Sequence, residues 1–489
     1  MARVSELAAM VAPLAAMASV LYALRMVGLA SPSLEEWWWA LALRMVESAG
    51  PTFIKLCQWA ATRNDVFPAA MTRRFAKLHD SVAPHDLRHT SQALDVAFGE
   101  GWRERLDLGV EVLGSGCIAQ VYRGKATDAS GETRDVAVKV VHPNVRKVVE
   151  IDMSLLRWVG EAIEALLPSL RYLGVVETLS NFEFLMERQL DLRIEAYNLE
   201  RLAALFKNDD TVCIPQPVWL CGAANTSQEV GDATTDKVTV VAAKRETRWS
   251  SRDVLVEEYV EGRPITSFVG AESASLLAKR GAMALLRMVL QHNFVHGDLH
   301  PGNLLVDSSH RIVLLDAGIC IELPQRAHDN MVAMLRAMLE ARGHDAARLM
   351  LASDAADRTR RERDAQNETN FVQGIAAMVD RARNQAFFES IAEYYGDICN
   401  LAIQNRVALD ASFVSIALAV KIVEGLVMDL HPNFPILELA LPMFLKAQFE
   451  NASKDRLSRL SENSLRILSC YDDDDLSMSP DSDAFEFAF

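Results

Sequence analysis

Residues 294–318 constrain the fold more than any other part of the chain. Phe294-Val295-His296-Gly297-Asp298-Leu299-His300-Pro301-Gly302-Asn303-Leu304-Leu305-Val306 sets an Asn five residues after an Asp, and Ile312-Val313-Leu314-Leu315-Asp316-Ala317-Gly318 adds a second Asp. A lone Asp or Asn in a loop is ordinarily a turn residue. Here residues 311–315 read as a short strand that presents Asp316 at its end, with Asp298 and Asn303 on the loop before it. The order and spacing are those of a phosphoryl-transfer site in a two-lobed fold. In such a site the first Asp handles the nucleophile's proton, and the Asn and second Asp hold Mg²⁺ against phosphates. His296 and His300 flank Asp298, but on a loop and without a third ligand, so they are expected to order the loop rather than bind metal.

A chain of 489 residues, half of them hydrophobic, suits a two-lobed enzyme with extensions. A net charge of −16 excludes broad nucleic-acid binding, which needs clustered Lys and Arg. The seven scattered cysteines form no CxxC pair, so they read as free thiols in a reducing compartment.

Residues 1–30 are read as a hydrophobic N-terminal helix. The uncharged run 7–24 is at the short end of a bilayer span. A membrane anchor and a packed helix fit it equally. A cleaved targeting segment fits less well, because Glu6 stands beside Arg3. Residues 31–105 read as a helical extension: 34–48, with Trp37, Trp38 and Trp39 expected in the core, then 52–62, then a charged helix at 71–79. Residues 106–262 read as a β-rich N-lobe with inserted helices at 148–167 and 176–206 and a polar insertion at 223–251, inside which 238–242 suggests a strand. Glu261-Gly262-Arg263-Pro264 reads as a turn out of this lobe. A helical C-lobe is expected at 263–470 and an acidic disordered tail at 471–489. The fold class is thus α+β, kinase-like, with an N-terminal helical extension.

Lys139 sits in Val136-Ala137-Val138-Lys139-Val140, a strand in which a buried ammonium needs a partner. In a kinase-type lobe that lysine meets the α- and β-phosphates and pairs with a helix Glu. Glu195 is the expected partner, sharing a helix face with Asp191 at i, i+4, and Asp191 or Glu187 are the alternatives. Gly114-Ser115-Gly116, with Gln120 beyond it, forms a turn that can approach phosphates. Glu257-Glu258-Tyr259-Val260 is the expected inter-lobe strand whose backbone meets the adenine edge.

These residues, in this order, resemble the UbiB family of atypical kinases, also called aarF-domain-containing kinases. They look most like its mitochondrial branch, typified by the second aarF-domain-containing kinase. Gly50-Pro51-Thr52-Phe53-Ile54-Lys55-Leu56-Cys57-Gln58 is similar to the family's KxGQ motif, with Cys57 where Gly is usual. The resemblance implies binding of ATP with Mg²⁺ and an ATPase-like activity supporting coenzyme Q biosynthesis at a mitochondrial membrane. A lipid or quinone precursor and a biosynthetic protein complex would be its partners, and nucleic acid would not. It further implies that Lys55 and Gln58 reach the nucleotide region and that their helix blocks the groove for a protein substrate. Three departures stand out: a Gly-Ser-Gly loop for the family's Ala-rich one, Gln189-Leu190-Asp191 for its ExD acid pair, and Asp316-Ala317-Gly318 for DFG. Two other functions fit the same loop. One is a small-molecule kinase of the aminoglycoside or choline phosphotransferase type, against which Lys55 argues. The other is a nucleotide-switched scaffold without turnover, against which the intact Asp298, Asn303 and Asp316 argue.

Overall fold

The computed structural model describes residues 2–27, 31–62, 82–128, 130–166, 175–221, 246–351, 365–383 and 391–405, with scattered single positions beyond them. The expected strand at 238–242, the acidic tail at 471–489 and most of the helix at 71–79 lie outside these residues. The chain divides into two compact units, Met1–Ile265 with Pro301–Cys320 and Thr266–His300 with Ile321–Phe489.

The first unit opens with three helices, α1 (Ala2–Met26), α2 (Pro32–Ala49) and α3 (Pro51–Thr62). Ser31 caps α2 by accepting from the Leu34 N–H, and Pro32 stands at its first turn, where a missing N–H is harmless. Gly50, at φ +100°, makes the sharp turn into α3. α1 is long and apolar enough to cross a membrane, and only 6% of its apolar window is buried. A helix packed into a core is therefore not what the structure shows. The start of α1 is tied down by Arg3, which bonds both oxygens of Asp152, at 2.8 and 2.9 Å, and also the Ala49 carbonyl. The expectation of three core indoles is not met, since Trp38 and Trp39 are only half-buried. Trp38 donates to the Leu14 carbonyl and meets Trp39 edge-on at 4.8 Å, whereas Trp37 is 56% exposed.

After α4 (Leu87–Phe98), capped by Asp86, the pattern turns to strands β1 (Leu106–Ser115), β2 (Ala119–Thr127) and β3 (Thr133–Val141). Three helices follow: α5 (Val145–Leu166), α6 (Val175–Gln189) and α7 (Leu192–Leu205). The single helix expected through 176–206 is corrected to two, because the chain breaks at Leu190-Asp191. Asp191 lies outside the helix as the N-cap of α7. Strands β4 (Val212–Cys213), β5 (Trp219–Cys221), β6 (Glu246–Arg248) and β7 (Val254–Glu258) complete the lobe. The polar insertion ends earlier than expected. β6 pairs with β5, and Trp249 is buried and stacked on Phe98 at 4.6 Å.

The main sheet runs β1-β2-β3-β7, antiparallel throughout. Successive strand residues face opposite sides. Val136, Val138, Val140, Val254 and Val256 therefore face a core made with Leu94, Trp102, Tyr122 and Trp249, while Ala137, Lys139 and Glu257 face the other way. A second small sheet holds β4 beside β8 (Arg263–Pro264), β9 (Leu304–Val306) and β10 (Ile312–Leu314), in the order β4-β10-β9-β8. Arg263 and Pro264 thus form a strand rather than the expected turn, paired with Val306 and Leu305. Gly262 permits this approach, since a Cβ there would stand 2.9 Å from the Leu305 Cβ.

The described part of the second unit is mainly helical: α8 (Ala274–Leu286), α9 (Gln325–Leu339), α10 (Gly343–Met350), α11 (Ala365–Arg383) and α12 (Ile391–Asn405). Gly343 lets α10 lie against α11, where a Cβ would come within 2.6 Å of the Ala376 Cα.

Candidate functional site

The inner face of the β3–β7 pair builds the site. Register sets Ala137 opposite Glu257 and Lys139 opposite Leu255, so Lys139 and Glu257 are diagonal neighbours on one face. α7 covers that face and brings Glu195 to it. Lys139 Nζ lies 2.7 Å from Glu195 Oε1 and 3.1 Å from Asp316 Oδ2. Burial disfavours charge on Lys139, but Asp316 and Glu195 outweigh it and hold the ammonium's pKa above its ordinary value. Burial pushes Glu195 up, against the pull of Lys139. Glu257 is pushed up to about 8, first by burial and then by Glu195.

Asp316 leaves β10 at φ +51°, a left-handed conformation that a non-glycine residue holds only when its surroundings impose it. Three contacts do so. The Leu315 N–H donates to the Asn303 carbonyl at 2.9 Å, Gly318 N–H donates to Asp316 Oδ1 at 3.3 Å, and Asn198 Nδ2 donates to the Ala317 carbonyl at 2.7 Å. Asn198 was missed in the sequence. Its only signal is its place one turn beyond Glu195, which lets α7 grip Lys139 and the Asp316 loop with one face. Asn303, buried in the turn Pro301–Asn303, and Asp316 are hard oxygen donors of the kind Mg²⁺ takes together with phosphates.

Asp298 belongs to the second unit. It follows the short strand Val295–His296, and its N–H donates to Nδ1 of the buried His296 at 3.2 Å, while its carbonyl accepts from the His300 N–H at 2.9 Å. The His296 ring thus orders this loop, while His300 joins it through its backbone N–H. Among the described residues no group of three His, Cys, Asp or Glu side chains is arranged to hold a metal ion.

Gly114 and Ser115 end β1, and Gly116 follows them. The turn is held from outside: the Val82 N–H donates to the Ser115 carbonyl at 3.1 Å, and His142 Nε2 lies 2.9 Å from the Gly116 carbonyl. Gln120 does not join a phosphate cradle. Its side chain shares the Tyr122 face of β2, is fully buried and accepts from the His85 N–H at 2.7 Å. Asp191, expected on the Glu195 face, instead forks with Arg193 at 2.9 and 2.6 Å, which lowers its pKa. Gln189 ends α6 beside Gly318, where its Cγ would lie 3.9 Å from an added Cβ. Lys55 and Gln58 stand one turn apart on α3, both half-buried. Lys55 shares a stripe with Thr52, which bonds Asp152 at 2.9 Å, and with Trp59, whose ring meets Phe182 at 5.6 Å. At the end of β7 the Glu258 and Tyr259 N–H groups are taken by the Gln216 and Asp135 carbonyls at 2.9 and 3.3 Å. The Tyr259 ring lies 4.4 Å from the Arg123 guanidinium.

A strand lysine paired with a helix glutamate beside a strand-end aspartate defines the nucleotide lobe of a kinase-like protein. The comparisons with known proteins narrow the class. The ABC1 atypical kinase-like domain matches residues 77–227 and 223–350, more than half the chain, so this protein belongs to the ABC1 family. It is 28% identical to the mitochondrial ABC1 family protein YPL109C of Saccharomyces cerevisiae, over 88% of this chain and 71% of that one. It is 26% identical to the mitochondrial ABC1 family protein C21C3.03 of Schizosaccharomyces pombe, over 84% of this chain and 65% of that one. The probable protein kinase UbiB of Vibrio cholerae is 29% identical over 56% of this chain and 46% of that one. The alignments thus span 46–71% of their partners' lengths. A solved complex of Rv3197 with erythromycin from Mycobacterium tuberculosis superposes with a TM-score of 0.48 and 18% identity, covering 83% of this chain and 91% of that one.

Proposed function

We propose that this protein is a mitochondrial ATP- and Mg²⁺-dependent kinase-like enzyme of ATPase type that serves coenzyme Q or related lipid metabolism at a membrane. The observation that carries the reading is Lys139, held between Glu195 and Asp316 at 2.7 and 3.1 Å and flanked by Val138 and Val140 on β3. Bound Mg²⁺ would neutralise phosphate charge from Asn303 and Asp316. Lys139 would grip the phosphates, Glu195 would aim Lys139, and Asp298 would handle the acceptor's proton. Lys55 and Gln58 would sense the nucleotide from α3. The relatives' names support the mitochondrial and quinone settings, and the exposed apolar length of α1 supports a membrane. The test is Mg²⁺-dependent ADP release with and without liposomes, against Asp316→Asn. Release that liposomes raise and the substitution abolishes is the expected result. Nucleotide binding without release from either form would overturn the enzyme and leave a nucleotide-switched scaffold.

A further inference from the structure

The glycine turn after β1 is braced by a row of hydrogen bonds that the proposed chemistry does not use. Gly114 pairs with Val121, and Val121 with Lys139, so the turn starts on the Lys139 face of the sheet. Two strand spacings, about 10 Å, separate the Gly114 and Lys139 backbones. A Cβ added at Gly114 would meet nothing within 4 Å among the described residues, so this face of the turn is open. A phosphate chain gripped by Lys139 has room to reach it.

The brace comes from the opposite, Tyr122 side. His142 Nε2 lies 2.9 Å from the Gly116 carbonyl, and His142 Nδ1 lies 2.7 Å from His85 Nδ1. His85 Nε2 is 2.9 Å from Thr90 Oγ1, which is 2.8 Å from the Tyr122 hydroxyl. Thr90 and Tyr122 are fully buried. A carbonyl only accepts, so His142 Nε2 must carry a proton. With both rings neutral, as histidines ordinarily are at pH 7, the rest follows in one way. His142 Nδ1 accepts from His85 Nδ1–H, His85 Nε2 accepts from the Thr90 hydroxyl, and Thr90 accepts from Tyr122. The buried end of the row thus dictates the tautomer and ring orientation at the turn.

We infer that His142 is a positioning residue for the nucleotide's phosphates, fixing the glycine turn through the Gly116 carbonyl, and that His85 acts through His142 by holding its ring in the donating tautomer. This rests on the nucleotide site proposed above and deepens it. A turn already fixed loses less freedom when it closes on a ligand, and the saving appears as affinity. Two amides separate the two halves of the His142 ring. The nitrogen of Gln can fall where Nε2 stands and keep the Gly116 bond, whereas the shorter Asn matches Nδ1, reaches His85 and leaves Gly116 without its donor.

The experiment is equilibrium binding of Mg-ATP, Mg-ADP and adenosine to the full chain and to His142→Gln, His142→Asn, His85→Phe and the His142→Asn/His85→Phe double variant. His142→Asn is expected to weaken both phosphate ligands by about fivefold, the worth of one hydrogen bond, and to leave adenosine unchanged. His142→Gln should stay within about twofold of wild type, since it keeps that bond. His85→Phe should give a smaller loss confined to the phosphate ligands, and the double variant should bind no worse than His142→Asn, because residues acting in series do not add. Thr90 and Tyr122 keep their bond to each other in every variant, so the buried end of the row stays paired. Asn and Gln variants that bind alike would overturn the inference and leave the nucleotide site standing. So would equal losses for adenosine and ATP, which would mark a general loosening of the lobe, or additive losses in the double variant. Wild type that binds neither Mg-ATP nor Mg-ADP would overturn this inference together with the proposed function.

Discussion

The Lys139–Glu195 pair should behave asymmetrically when it is dismantled one side at a time. The lysine and glutamate side chains are 12% and 4% exposed, and Asp316, the ammonium's second partner, is 40% exposed. Glu195→Leu leaves a buried ammonium with partly hydrated Asp316 as its remaining ion-pair partner. Breaking a buried pair costs about 3–5 kcal/mol, and the surviving Asp316 contact puts this case near about 3. Lys139→Met leaves a buried carboxyl that escapes by taking a proton. The ordinary carboxyl pKa is 4.5, so neutralising it at pH 7 costs roughly 3 kcal/mol at ~1.4 per pH unit. At pH 5 that penalty should shrink below about 1 kcal/mol, because protonation is then nearly free. The Lys139→Met/Glu195→Leu double variant removes both charges and should fall within about 1 kcal/mol of wild type, while losing phosphate grip entirely. Urea unfolding at pH 5 and pH 7, followed through tryptophan fluorescence, measures all three. Additive single penalties, giving a double variant some 6 kcal/mol weaker, would refute the argument. So would a Lys139→Met penalty indifferent to pH.

Two further outcomes follow from the same geometry. Asn198→Ala removes the 2.7 Å bond to the Ala317 carbonyl and leaves that carbonyl unpaired, a loss of about 1–3 kcal/mol. Because the bond helps hold Asp316 in its left-handed turn, the Mg²⁺ concentration for half-maximal ADP release should rise several-fold, whereas a purely structural role would lower thermal stability and leave Mg²⁺ dependence alone. His85 is held down to about 4, by burial first and the nearby His142 ring second. A depressed histidine contributes stability that is present above its ordinary value of 6.5 and fades as pH falls through the folded value. Melting temperature should therefore drop between pH 6.5 and 4, and His85→Gln should flatten that part of the curve.

What the sequence disclosed, and what it hid, divides along one physical line. Features encoded by period and local chemistry were legible. The alternation that separates Val136, Val138 and Val140 from Lys139 marks a two-faced strand, and Gly50-Pro51 marks a helix junction. Glu195 could be named because an ammonium among apolar strand neighbours demands an anion, and the helical stretch downstream offers Glu195 among its acids. Asp191 shows the limit. Its spacing from Glu195 matches a shared helix face, but its short side chain competes for the backbone, accepts from the Arg193 N–H at 3.1 Å and ends one helix to start another. Gln120 fails for a related reason: it follows the glycine turn in sequence, but strand alternation sends it to the Tyr122 side. Asn198 and the place of Glu257 beside Lys139 were out of reach, since both depend on pairings across 119 residues or across sheet register. Those two positions are also where α7 and β7 converge on the Lys139 face. The generic parts of a phosphate site were thus written in motif order, while the contacts that hold them in place emerge only when distant strands and helices close around the lysine.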